Sequence, residues 1–536
     1  MVDFIVVGAG SAGCVLANRL VAGGYRVALL EAGGKDNKTE IRIPAAFPKL
    51  FKTAYDWNYR TAPQAALAQR ELYWPRAKVL GGCSSMNAQM WLPGHPADYD
   101  GWAASGNPGW DAASVRPFFE KAERPFDAGA SGNGIAGGIS VQPLRDPNPV
   151  TAAFVRACEE IGLPRPSQPG YGQSEGYGQT PVTQYRGQRF SAADGYLQPL
   201  LRHPNLRILL HARSERILFD GRRAVGVEYR DQHGQQRQLR AAREVVLAAG
   251  AVNSPQLLLL SGIGDPDALR RHGIPLLHAL PGVGRNLQDH LLSAAVVSCP
   301  QPVTLAAAET LANLLRYLLL RKGMLTSNIA EGYAFIRTRP ELEFPDVEII
   351  FAPVPFLDHG LVPPKGHGIT VGAVLLQPES RGTLELQSPE PAEPPRIDPG
   401  YLSDSAGSDL RTLVAGLKLS KRILASEALS HFAGDPIEPA AGATTDECLA
   451  DFVREQSETL YHPVGTCRMG DDQAAVVDAS LRVHGVGGLR VVDASVMPRI
   501  IRGHTHAPTV MIAEKAAEMI LKESASTGGV ALHGRR

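Results

Sequence analysis

The sequence predicts an α/β fold whose first unit is a strand–turn–helix–strand of the doubly wound kind. Three observations carry that reading. A short apolar run, Phe4 to Val7, leads into Gly8, Gly10 and Gly13 in GxGxxG spacing. A helical pattern then runs from Ser11 to Ala22, with Cys14, Val15, Leu16, Leu20 and Val21 as its apolar positions, and Gly23-Gly24 ends it. A second apolar strand, Arg26 to Leu30, closes on Glu31.

Each element has a physical reason. A strand buried on both faces reads as a continuous apolar run. Gly8 permits the tight turn, Gly10 lets the backbone approach a pyrophosphate, and Gly13 lets helix and strand pack closely. The helix start at Ser11 and Ala12 offers unpaired N–H groups and partial positive charge to phosphates. Glu31, followed by Ala32, is an acid placed to accept hydrogen bonds from ribose hydroxyls. A bare GxGxxG could be a plain turn; the strands, the helix and the terminal acid make it an expected dinucleotide site. The motif does not separate FAD from NAD. Its place near the N-terminus, with "EAGG" after the second strand, leans towards FAD.

The chain has 536 residues, enough for two to four domains, and its 44% hydrophobic content supports a sizeable core. Lys+Arg and Asp+Glu are both 54, so nothing in the overall charge points to nucleic acid or an anionic membrane surface as partner. The six cysteines are scattered without a CxxC pair, which argues against zinc and against a disulfide scaffold. The motif begins at Gly8 and leaves no room for a signal peptide, so the expectation is cytoplasmic. The run "LANLLRYLLLRKG" is too short for a membrane span and carries arginine.

Further blocks follow: "KVLGGCSSMNAQMW", "GAVNSPQLLLLSGIG", "GVGRNLQDH", "SRGTLELQSPEPAEPPRIDPGYLSD", "YHPVGTCRMG", "LRVVDASVMP" and "GHTHAPTVMIAEKAAE". In order and spacing they resemble the glucose-methanol-choline (GMC) oxidoreductase family over nearly the whole chain. Within it the look is towards bacterial aryl-alcohol and 5-hydroxymethylfurfural oxidases and choline-dehydrogenase-like alcohol dehydrogenases. The resemblance implies a Rossmann-like FAD-binding domain from residues 1–145, 190–293 and 455–525. It implies an inserted α+β substrate domain, an antiparallel sheet backed by helices, from 146–189 and 294–454. A flexible tail is expected at 526–536. The alternating stretches "DVEIIF", "GITVGAVLLQP" and "GTLELQ" lie where that sheet should be.

By the same resemblance Gly81, Gly82 and Ser84 lie near the flavin's phosphates and ring, and Asn87, Ala88 and Met90 lie against it. Ser214 belongs beside the adenine, Asp493 and Ala494 beside the phosphate and ribityl side, and His506, Ala507 and Pro508 at the ring. Some members link FAD covalently through a histidine at the position of Met86, so non-covalent FAD is expected.

Oxidising an alcohol requires a base for the hydroxyl proton, and histidine titrates in the right range. A second polar group should hold the developing alkoxide. The resemblance makes His462 the base, titrating near neutral pH, and His506 the alkoxide partner, with His504, His290 and His95 structural. An isolated histidine is usually a satisfied core or surface residue; the matched motifs overrule that here. Metal ligation would need further ligands, and Cys467 and Asp493 belong to flavin-domain blocks, so no metal is expected.

The family also holds lyases and photodecarboxylases. The cysteine and arginine of the latter fall at Ala330 and Ile350. The glutamate of choline oxidases falls near Ser298, in an apolar, neutral region. Met90, Phe351 and Tyr461 are the expected pocket wall. The expected reaction is therefore oxidation of a neutral primary alcohol, aryl or furanic, to the aldehyde, with O2 as acceptor. The alternative is a dehydrogenase passing electrons to a quinone or other redox carrier. A GMC-fold lyase, a photodecarboxylase or a non-catalytic flavoprotein is less favoured.

Overall fold

The N-terminal pattern folds as its residue types require. The computed structural model describes residues 1–123, 137–165, 175–363 and 365–528. In it the strand Val2–Val7 turns at Gly8, with φ +97°, directly into the helix Ser11–Ala22. A Cβ at Gly8 would lie 2.6 Å from the Ala248 carbonyl oxygen, and one at Gly13 would lie 1.8 Å from the Gly8 oxygen. Neither position tolerates a side chain.

Val2–Val7 pairs in parallel with Val27–Leu30 on one side and with the end of Gln236–Leu247 on the other. Leu206–Leu209 extends the sheet beyond Val27–Leu30, and Leu489–Val491 joins it along Gln236–Leu247. The long strand Gln236–Leu247 serves two pairings. Its first half runs antiparallel to Arg223–Arg230, which pairs with Arg213–Asp220.

A second sheet is antiparallel. Its order is Pro436–Glu438, Leu291–Ser298, Gly368–Leu375, Val347–Ala352, Gly332–Ile336 and Gly176–Gln179, with Glu458–Thr459 added to Leu291–Ser298. The stretches "DVEIIF" and "GITVGAVLLQP" form central strands. "GTLELQ" does not belong to this sheet, contrary to expectation. Gly382 exchanges backbone hydrogen bonds with Leu287, and Thr383–Glu385 pairs with Arg396–Asp398 in a separate ribbon. One face of the second sheet packs on helices Pro149–Glu160 and Ser408–Leu424, where a Cβ on Gly416 would meet Ala373 at 2.8 Å. The last helix runs His506–Gly528, so residues 526–528 of the expected tail are helical; residues 529–536 lie outside the described residues. Among the described residues no helix is long and apolar enough to cross a membrane.

The first and last helices cross, and a buried ion pair joins them. Arg19 donates to both carboxylate oxygens of Glu514, at 2.8 and 2.6 Å. The Tyr196 hydroxyl and the Lys121 ammonium reach the same carboxylate at 2.9 Å each. Glu514 is wholly buried, and its partners outweigh burial and hold its carboxyl below the usual range. Glu514→Gln should leave two cations without their anion at low exposure. Loss of one partner of a buried pair costs roughly 3–5 kcal/mol, which urea denaturation of the holoprotein should report.

Candidate active site

A cavity of about 510 Å³ lies between the two sheets. Gly8, Gly10, Ser11, Ala12, Glu31 and Ala32 line one end, with Gly82, Asn87, Ala88, Ser214, Asp493 and Ala494. The helix start at Gly10 has no side-chain cap and no acid in its first turn, so its N–H groups stay open to an anion. The Glu31 carboxylate is gripped by the amides of Ala9 (3.0 Å) and Gly33 (2.8 Å). Burial still pushes it up to about 7. Asp493 accepts from the Gly250 amide at 2.8 Å and the Ser254 hydroxyl at 2.6 Å, tying the end of Leu489–Val491 to the helix Gly250–Leu260. Ser214 Oγ and His506 Nε2 line the cavity buried without a protein partner. Buried polar atoms of that kind call for a ligand's hydrogen bonds. Open amides at a helix start, a buried acid at the end of the second strand and unpaired polar atoms on the cavity wall fit a bound FAD.

Several expected contact residues stand behind the cavity instead. Gly13 fills the helix–strand contact. Gly81 has φ +88° and donates its N–H to Ala9 O at 2.8 Å. The Ser84 hydroxyl donates to Gly81 O (2.6 Å) and accepts from Ala192 N (2.9 Å), so it braces the loop. Ala507 and Pro508 are buried in the first turn of the last helix.

The opposite end is apolar. Phe47, Phe51, Met86, Met90, Leu292, Ile329, Ile350, Phe356 and Tyr461 line it. Phe351 does not, which corrects the expected pocket wall. Successive strand residues face opposite ways; Ile350 and Ala352 face the cavity, while Phe351 stacks on Phe154 at 4.8 Å against the helix behind. Ser298 ends the strand whose other end carries the lining residue Leu292, and its oxygen accepts from Gly434 N at 2.8 Å. It is absent from the lining, so its neutrality says nothing about the pocket.

His462 sits on irregular chain after Tyr461, a non-glycine residue at φ +68°. Buried groups hold that chain. The Asp289 carboxylate accepts from His462 N (2.7 Å), the Thr459 hydroxyl (2.6 Å) and the Tyr401 hydroxyl. Arg76 donates to Tyr461 O at 2.6 Å. The His462 ring is oriented by His290, Nδ1 to Nδ1 at 2.9 Å. His290 Nε2 lies 3.0 Å from Leu376 O, and a carbonyl only accepts. His290 therefore carries its proton on Nε2 and offers a lone pair at Nδ1. His462 must then donate from Nδ1, which leaves its Nε2 lone pair free. Burial, then neighbouring histidines and Arg76, holds His462 well below 6.5; burial, then His504, takes His290 down to about 3.

The sequence paired His462 with His506. The structure packs His504 against it instead, edge to face at 4.8 Å, and both rings line the cavity. His504 Nε2 lies 3.0 Å from Oε1 of Glu348, which is wholly buried. His506 faces the nucleotide end: its Nδ1 meets Ser11 Oγ at 3.0 Å, Trp91 covers it edge-on, and burial lowers it to about 4. Only two positions separate the two histidines, but the second already opens a helix, so the rings project to different ends. The sequence reading missed Asp289, the orienting role of His290, and Glu348. A visible signal existed for Glu348: a carboxylate inside the otherwise apolar run "VEIIFA" demands a partner.

These features define an FAD-dependent oxidoreductase acting on CH–OH donors, and the comparisons agree. GMC oxidoreductase models match residues 2–292 and 378–513. The chain is 50% identical to an uncharacterized GMC-type oxidoreductase of Mycobacterium tuberculosis, covering 97% of this chain and 99% of that one. It is 43% identical to an alcohol dehydrogenase [acceptor] of Pseudomonas putida (98% and 96%) and 42% identical to mouse mitochondrial choline dehydrogenase (96% and 89%). Pyridoxine 4-oxidase from Mesorbium loti superposes with a TM-score of 0.86 at 32% identity, covering 96% and 98%. The chain belongs to the GMC oxidoreductase family.

The correction at Phe351 is testable. Ile350→Ala should change KM among alcohols of different bulk in steady-state assays. Phe351→Ala should leave that ranking unchanged and instead lose roughly 3–5 kcal/mol in chemical denaturation.

Proposed function

We propose that the protein oxidises a neutral primary alcohol with an apolar, aryl or furanic body to its aldehyde. The observation that supports this reading best is the free Nε2 of His462 at the apolar end of the cavity, beside His504. The hydroxyl of a bound alcohol donates to His462 Nε2, which takes the proton as the C–H bond breaks. His462 Nδ1–H stays bonded to His290 throughout, so the ring does not rotate as it charges. His504, held by Glu348, orients the oxygen as it becomes an alkoxide. The apolar wall excludes water from the new charge. Bound FAD supplies the hydride acceptor, held by the Gly8–Gly13 turn, Glu31, Ser214 and Asp493. Met86 stands at the position of the family's linking histidine and offers no nitrogen for a covalent bond.

The lining carboxylates are Glu31, Glu393 and Asp493. Glu31 and Asp493 belong to the nucleotide end, and Glu393 is tied to the helix Gly250–Leu260 through Gln256, which donates to its carbonyl at 2.9 Å. The apolar end offers aromatic and aliphatic side chains, which suit a neutral body better than a quaternary ammonium needing a counter-charge. For the electron acceptor we retain O2 as the first reading. The relative named for an acceptor, at 43% identity, favours a redox carrier as the second.

Anaerobic stopped-flow reduction of the flavin tests the mechanism. His462→Ala and His504→Ala should each slow reduction by about 10²–10⁴-fold, and His506→Ala should instead weaken FAD retention. A His506→Ala holoenzyme as slow as His504→Ala would overturn the assignment of the pair. A benzyl or furanic alcohol should exceed choline in kcat/KM.

The pH profile follows from burial. A histidine held below its usual value is the neutral base at pH 6–8, so reduction should stay level there and fall only as acid protonates His462, well below pH 6.5. His290→Gln keeps an acceptor for His462 Nδ1–H, and His290→Leu does not. The Leu variant should lose on the order of 10²-fold in reduction rate at similar KM, with the Gln variant far less affected. Acid precipitation should release the whole of the FAD into the supernatant; yellow pellet would show a covalent bond.

A further inference from the structure

The run "LANLLRYLLL" forms the helix Leu311–Leu320, and its exposure is unlike that of the rest of the chain. Leu311, Leu314, Leu315, Leu318, Leu319 and Leu320 are 73, 37, 48, 48, 78 and 59% exposed. They are six of the eleven large hydrophobic side chains exposed among the described residues. The helix is attached through Tyr317, 1% exposed, whose hydroxyl donates to Arg42 O at 3.1 Å. A contiguous apolar display of this kind marks an interaction surface.

The charges beside it say what the surface meets. Arg316 lies on the helix, and Arg321 and Lys322 follow it, Arg321 over the Tyr317 ring at 4.9 Å. The hairpin at Gly187 brings Arg145 and Arg186 to the same end: a Cβ on Gly187 would lie 2.7 Å from Arg321 O and 3.1 Å from Arg145 Cδ. The acids alongside are Asp146, which takes Arg316 at 3.2 Å, and Glu309, which takes Lys49 at 2.9 Å. The rim is therefore net positive in a chain of net charge zero.

The geometry points to this helix as a docking element for an anionic phospholipid surface. Leucines on the outer face with cations at the flank are the composition of a helix lying in the lipid interface. Ten residues reach only about 15 Å, half of a bilayer core of about 30 Å, so the helix lies in the surface and does not span. A second copy of the chain fits less well, because a symmetric contact through this helix would bring two cationic rims together. Tyr317 belongs to the same apolar cluster as Phe47, Phe51 and Ile329, which line the substrate end of the cavity. Docking therefore holds that end of the enzyme close to the phase in which apolar alcohols and carriers dissolve. The inference stands whether or not the substrate proposed above is correct.

Sedimentation with sucrose-loaded vesicles tests it on the holoenzyme. The wild type should bind phosphatidylcholine vesicles containing phosphatidylglycerol at least tenfold better than phosphatidylcholine alone, and high salt should weaken binding. Leu315→Ser with Leu319→Ser should abolish binding. Arg186→Glu with Lys322→Glu should reduce it at least tenfold. Both variants should keep wild-type FAD content, melting temperature and flavin reduction by a soluble alcohol. Failure of the wild type to bind charged vesicles overturns the proposal, as does undiminished binding by the leucine variant. So does light scattering that shows a dimer which the leucine variant converts to a monomer.

Discussion

The buried pair between Arg19 and Glu514 is the constraint on which the site depends. The loop carrying His504 enters the last helix at His506, and the dinucleotide turn leaves into the first helix at Ser11. The turn is fixed in height by the paired strand Val2–Val7, whereas the loop before His506 belongs to no strand. Two helices crossing through apolar contacts alone could slide by a turn at modest cost, since packing is tolerant of small shifts in register. A bidentate ion pair is not tolerant, because a slide would strand a charge out of water. The pair therefore sets the rotation and height of the last helix against the first. The contact between Ser11 and His506, at the very start of both helices, is its consequence.

The histidine loop is held by a different device. Tyr461 adopts a left-handed backbone that a non-glycine residue avoids unless its surroundings impose it. Asp289 and Arg76 impose it from either side, one on the amide of His462 and the other on the carbonyl of Tyr461. The neighbouring residue of Asp289 then fixes the side chain. A two-residue unit, Asp289-His290, thus sets both the backbone position and the tautomer of His462. Burial lifts the Asp289 carboxyl to about 6, and three donors are what keep it ionised inside the fold.

The parts legible in the sequence were those with short-range causes. Ser11–Ala22 was bounded correctly because glycine turns, apolar periodicity and a Gly-Gly stop all act within thirty residues. The central strands of the second sheet were legible from alternation and β-branched content. "GTLELQ" alternates equally well, but a strand's partner is a long-range property, and its first residue, Gly382, is taken by Leu287. At Phe351 a resemblance of position was carried without its facing; a shift of one residue on a strand reverses the side, and Ile350 holds the cavity position. The exchange of His504 for His506 has the same origin. Two histidines two apart sit on opposite sides of a helix start, and only the path of the chain decides which one looks at His462.

In the mechanism proposed above, charge balance explains why His462 does not stand alone. The burial that holds His462 neutral also opposes the imidazolium that the proposed proton transfer would form. His290 offers only a lone pair to that ring, and its own protonation is suppressed further, so the proton cannot pass on to it. The compensation comes from the other side. Glu348 is wholly buried, gives one oxygen to His504 and keeps the other without a protein partner. A carboxylate so placed, one ring away from His462, supplies negative potential in a medium where little water screens it. In the proposed mechanism its bond to His504 holds that ring beside His462, where the alcohol oxygen would lie. An acid in the middle of an apolar strand is costly to fold, and under the proposed mechanism its hold on the His504 ring is what that cost supports.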